Sequence, residues 1–160
     1  MSSTRNAVEA STYRQCIDTI RDTGEPVDDR AAAIISLVGY AEAGLSMAQM
    51  HQIADTLQIA LLDEHTKIAE RAIWALVIIE PPGTVDILQT EVQENDNVYI
   101  RLCAVIELWR WFSDRVDCAL IARVAQTDDD EDVRWAAEQA LKRCPKERSR
   151  RGKPVARNRD

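Results

Sequence analysis

Asp129-Asp130-Glu131-Asp132-Val133-Arg134-Trp135-Ala136-Ala137-Glu138-Gln139-Ala140-Leu141 carries the signals of one helix and of a repeated unit. The acidic run stands where a helix N-terminus leaves amides unpaired and the dipole favours negative charge. Behind it Val133, Ala137 and Ala140-Leu141 recur at helical spacing. One unit upstream, Ile100-Arg101, Ala104 and Glu107-Leu108 fall on Val133-Arg134, Ala137 and Ala140-Leu141. One unit further back stand Ile68-Ala69, Ala72 and Ala75-Leu76, and Arg30, Ala33 and Ser36-Leu37 match more loosely. The helices in between follow in part, with Ile87-Leu88 on Leu120-Ile121 and Asp96 on Asp129. A period of about 33 residues, with two helices per unit, is the sequence form of a helical solenoid.

Outward from this stretch the same three- and four-residue spacing continues, and Gly and Pro number only five each. The pattern predicts helices near 5–22, 27–43, 46–62, 65–80, 84–94, 97–112, 115–126 and 130–143. Punctuation agrees: Gly24 with Pro26, Gly44 ahead of a Ser46 cap, Pro81-Pro82-Gly83 ahead of a Thr84 cap, and the aspartates before the last helix. The small Ala72, Ala104 and Ala137 let neighbouring helices approach closely. Arg101 and Arg134, each near an Asp on the preceding turn, read as ladder residues tying one repeat to the next.

Asp129, Asp130, Asp132-Val133-Arg134, Ala137 and Ala140-Leu141 resemble the second helix of HEAT repeats, especially the short variety of phycobilisome-lyase-like proteins. The resemblance implies an all-α fold, an α-solenoid of about four HEAT-like helical hairpins (an α-α superhelix). It spans about 115 residues well and roughly the first 45 loosely. It bears little on function, because such proteins include scaffolds, cofactor-attaching lyases and DNA glycosylases.

The chain of 160 residues suits one repeat domain over 1–144 and a tail over 145–160. No apolar run approaches the roughly 20 residues of a membrane span, and Met1-Ser2-Ser3-Thr4-Arg5-Asn6 leads into no signal-like region. A soluble, cytoplasmic protein with no membrane partner is expected. Cys16, Cys103, Cys118 and Cys144 lack CxxC or Cys/His metal spacing and read as reduced, mostly buried thiols.

Charge is divided along the chain. From Lys142 onward nine basic residues face two acidic ones, a net +7, which leaves 11 basic against 25 acidic, a net −14, for the rest. The tail has the Pro, Gly and charge content of a segment that cannot build a core. Lys146, Arg148, Arg150, Arg151, Lys153, Arg157 and Arg159 make it a candidate arm for RNA or DNA, whereas the acidic body repels phosphate.

Chemistry-bearing constellations are sparse. His51 and His65 form no metal pair, and Glu64-His65 has no counterpart at the repeat offset. The run Asp128-Asp129-Asp130-Glu131-Asp132 lacks the spacing and glycine of a calcium loop. No Gly-rich phosphate loop, GxSxG elbow or catalytic triad is present, so neither an enzyme nor a metal or cofactor site is expected.

The tryptophans offer more. With Ile100, Ala104, Leu108 and Trp111 taken as the core-facing side of the sixth helix, Leu102, Ile106 and Trp109 fall opposite. Trp74 and Val77 on the fourth helix and Trp135 on the eighth extend them into a second apolar stripe across three repeats. The family resemblance implies that second helices border a groove, making these six residues candidate anchors for a partner protein. The expected function is therefore non-catalytic: an adaptor, scaffold or assembly factor gripping a helix or peptide of another protein. A nucleic-acid-associated role through the tail is the alternative.

Overall fold

The structure is a computed structural model that describes residues 2–144, with side chains from Thr12 onward. The tail and its seven candidate phosphate-binding residues lie outside the described residues. Among the described residues eight helices follow one another: α1 (Ser2–Arg21), α2 (Val27–Glu42), α3 (Met47–Ala60), α4 (Thr66–Ile79), α5 (Thr84–Glu94), α6 (Val98–Trp111), α7 (Cys118–Thr127) and α8 (Glu131–Leu141). They pair as four hairpins, and α2, α4, α6 and α8 pack on one another in chain order. The expected α-solenoid of helical hairpins is the fold observed, with no strand among the described residues.

The repeat offset marks the core. Ile68, Ile100 and Val133 are fully buried, and so are Ala72, Ala104 and Ala137 one turn later. An apolar branched residue fills the space between hairpins, and an alanine then permits close approach of the next helix. These layers belong to one continuous core that runs from Tyr13 to Ala140.

Caps set the turns. Ser46 forms a capping box with Gln49 at the start of α3, and Asp130 accepts from the Asp132 and Val133 amides at the start of α8. Thr84 is not the cap of α5 as expected. Gly83 takes that position with φ +85°, a conformation that favours glycine, while the Thr84 hydroxyl donates to the Pro81 carbonyl at 2.7 Å. His65 occupies the cap position of α4 without a side-chain cap bond, and exposed His51 bonds its own helix at Met47 O.

The arginine ladder is present and its rungs alternate. Arg30 lies buried, donates to the Ile20 carbonyl from Nε and Nη2, and pairs with Asp63 ahead of α4. Arg101 repeats this arrangement, donating to the Asn95 carbonyl at 3.0 Å and, through Nε and Nη2, to both carboxylate oxygens of Asp128 at 3.0 Å. Between them the arginine position holds Ala69, and the position matching Asp63 and Asp128 holds Asn95. Where the cation is lost, the carboxylate facing it is lost too. Arg134 differs from expectation: it donates to the Asp128 carbonyl of its own hairpin and ties no second repeat among the described residues.

Two further expectations are overturned. Trp111 is 59% exposed, and Phe112 is the buried residue. Helix α6 ends at Trp111, and the non-helical backbone of Phe112 turns its ring inward, a rotation that helical stepping from Ile100 does not anticipate. The cysteines are not all reduced: Cys118 and Cys144 form a disulfide, while Cys16 and Cys103 are free. They stand 26 residues apart, yet the α7–α8 hairpin returns the chain and brings their Cα atoms to 6.0 Å.

Candidate functional site

Helices α4 and α6 lie side by side, and the space between their outward faces is a groove of about 460 Å³. Ile73 forms a buried part of its wall, and Val77, Cys103 and Ile106 are half-buried. Trp74, Ile78, Tyr99 and Trp111 stand exposed around it, an unusual concentration of large apolar side chains with water contact. Helical spacing explains the arrangement. Residues 70, 74, 77 and 78 on α4 and 99, 103, 106, 107 and 110 on α6 share the faces left over once the core-facing stripes are buried.

The polar rim is ordered by local bonds. Arg110 Nη1 pairs with Glu107 Oε1 at 3.3 Å one turn away, and Tyr99 Oη donates to Glu70 Oε1 at 3.3 Å across the groove. The neighbouring Cys103 sulfur, and then Glu70, push the Tyr99 hydroxyl up to about 12. Burial raises the Cys103 thiol as well, more than its bond to Tyr99 lowers it. Tyr99 is therefore a neutral donor and Cys103 an un-ionised thiol at physiological pH.

The six residues of the expected stripe are divided by the fold. Trp74, Val77 and Ile106 meet in the groove. Leu102 and Trp109 are half-buried against the core instead, and Arg143 covers the Trp109 ring with its guanidinium 4.4 Å from the centroid. The buried Trp109 Nε1 has no acceptor among the described residues. Trp135 is 63% exposed on α8 and does not line the groove. Missing from the expected stripe were Glu70, Ile78, Tyr99, Cys103, Glu107, Arg110 and Trp111. Their signal was available in part, because Tyr99, Cys103 and Ile106 are one helical face; Trp111 had no such signal, since only the helix end frees it.

The acidic run ahead of α8 is also divided. Asp130 caps the helix, while Asp128 and Asp129 clasp Arg101. Burial raises the Asp128 carboxyl, but its bonds to Arg101 and to the Asp130 amide outweigh that and hold it below the usual range. These aspartates serve the fold, and no group of His, Cys, Asp and Glu among the described residues is arranged to hold a metal ion.

Four stacked hairpins, a regular repeat offset and a groove between second helices agree with one outside comparison. A family model of HEAT repeats matches residues 53–142, more than half of the chain. The chain is a HEAT-repeat protein. No curated protein and no solved structure matches it significantly. The matched HEAT repeats begin within α3 and take in both walls of the groove, and the α1–α2 hairpin before them continues the packing through α2 and α4. No described helix of this HEAT-repeat protein is long and apolar enough to cross a membrane.

Proposed function

We infer that the protein is a non-catalytic interaction module, an adaptor, scaffold or assembly factor, that seats a helix or peptide of another protein between α4 and α6. HEAT repeats commonly mediate contacts between proteins and are generally non-catalytic. The observation that carries the reading is the exposure of Trp74 and Trp111, 40% and 59%, on opposite walls of one groove. Aromatic rings of this kind supply large contact area at low entropic cost and dominate the energetics of interfaces. Glu70 and the Glu107–Arg110 pair add a polar rim that sets orientation. We place this activity in the cytoplasm.

The decisive experiment compares captures from the native cell by wild type, by Trp74→Ala/Trp111→Ala and by a chain ending at residue 144. A protein recovered by the first and third and lost by the second, with unchanged melting temperature, supports the groove. Recovery that depends on residues 145–160 and disappears with nuclease would replace this reading with nucleic-acid binding through the tail.

A further inference from the structure

The last hairpin is held at both ends. At its loop, Asp128 and Asp129 grip Arg101 of the preceding repeat. At its open end the Cys118–Cys144 bond joins the first residue of α7 to the turn that follows α8. The positions matching Cys118 and Cys144 one repeat earlier are Val85 and Trp111, so among the described residues the bond has no counterpart in the preceding hairpin. Cys118 and Cys144 are half-buried, as is the free Cys103, whereas the free Cys16 is buried. The residue beside the bond, Arg143, is the one that covers Trp109.

We propose that Cys118 and Cys144 form a reversible thiol–disulfide exchange site whose co-reactant is a low-molecular-weight disulfide of the glutathione type. The Cys144 thiolate attacks one sulfur of the small disulfide, forming a mixed disulfide and releasing one small thiol. The Cys118 thiolate then attacks the Cys144 sulfur, closing the protein bond and releasing the second small thiol. Two electrons pass from the protein sulfurs to the small disulfide, the two thiol protons end on the released thiols, and small thiols in excess run both steps in reverse. Closure holds the turn after α8 in place and keeps Arg143 over Trp109. Opening frees that turn and uncovers the Trp109 indole. A disulfide in a reducing compartment is typically of this transient kind. The inference rests on the cytoplasmic placement proposed above and not on the groove's function, because the site and its effect on α8 are read without a partner.

The test equilibrates the full chain with reduced and oxidised glutathione in defined ratios, then follows peptide maps and amide exchange by mass spectrometry. A Cys118–Cys144 cross-link that forms and disappears in one two-electron transition, with Cys16 and Cys103 remaining thiols, is expected. In the reduced chain, amides of 131–144 exchange about tenfold faster, as local opening requires, and Trp109 fluorescence changes. Cys118→Ser/Cys144→Ser should match the reduced wild type at every ratio, and the reduced wild type itself supplies the comparison if that variant folds poorly. Thiols at 118 and 144 under all ratios, a cross-link that native reduction cannot open, or equal exchange in the two forms would each overturn the proposal.

Discussion

At the level of single residues, the charge-bearing positions of the core show how the repeats are joined. Arg101 and Asp128 are nearly buried side chains whose bonds satisfy each other and two backbone carbonyls. Removing one partner strands the other, so Arg101→Ala should lower unfolding free energy by about 3 to 5 kcal/mol in urea titrations. A loss below ~1 kcal/mol would show that the rung is not structural. The depressed Asp128 value gives this rung a pH signature. Its stabilisation is present above the ordinary carboxylate value of 3.8 and fades as pH falls through the folded-state value. Glu91 is the opposite case. It lies buried at the repeat where the arginine is replaced by Ala69, and Asn95 Nδ2 donates to it at 2.6 Å. Burial pushes its carboxyl up; the Asn95 bond lowers it less, and Glu94 raises it further. Its contribution is greatest below 4.5 and is lost as pH rises through the raised folded value, because ionisation then occurs in a buried site. Glu91→Gln keeps an acceptor for Asn95 and removes that charge. It should melt higher than wild type at pH 7, with the advantage vanishing near pH 4; an unchanged melt across this range would remove Glu91 as a source of the pH dependence.

At the level of helices, α6 and α8 show that an apolar stripe is not yet a surface. Leu102, Ile106 and Trp109 lie on one face of α6, but neighbours to either side treat them differently. Ile106 opens towards α4 and the groove, while Trp109 is closed over by Arg143 after α8. The two tryptophans that the spacing groups together should therefore separate in a thermal melt. Trp109→Ala, which removes a half-buried ring and its cation–π contact, is expected to cost about 1 to 3 kcal/mol. Trp135→Ala, at an exposed site, should stay within about 0.5 kcal/mol of wild type. Equal losses would place Trp135 in a packed environment that the structure does not give it. Helix limits were legible to within a few residues, because caps and glycines are local chemistry. The start of α7 shifts within that margin: the turn from Phe112 to Val116, closed by Arg115 and Val116 amides on the Phe112 carbonyl, delays it to Cys118.

At the level of the whole molecule, the division between a body of −14 and a basic end of +7 governs what each part attracts. Deleting residues 145–160 should leave the helical spectrum and melting temperature intact and abolish salt-sensitive binding to RNA or DNA, since the remaining chain carries the wrong sign for phosphate. Undiminished binding by the truncated chain would reveal a basic surface on the repeats themselves. The repeat fold follows from periodicity alone: residues spaced for one helical face recur once per hairpin, and a hairpin with such a face is stable only against a copy of itself. The alanine positions, the Arg101 rung and most caps were readable for the same reason, being local or repeated; Arg134 was not a rung, and the Arg30 rung went unread. The candidate site was readable only in part, through Trp74, Val77 and Ile106. Which outward residues meet across α4 and α6, that Trp111 escapes the core while Phe112 enters it, and that Cys118 reaches Cys144 were decided by tertiary structure. Each depends on where a helix stops and which neighbour the chain returns to, and neither is encoded in the spacing of a single helix.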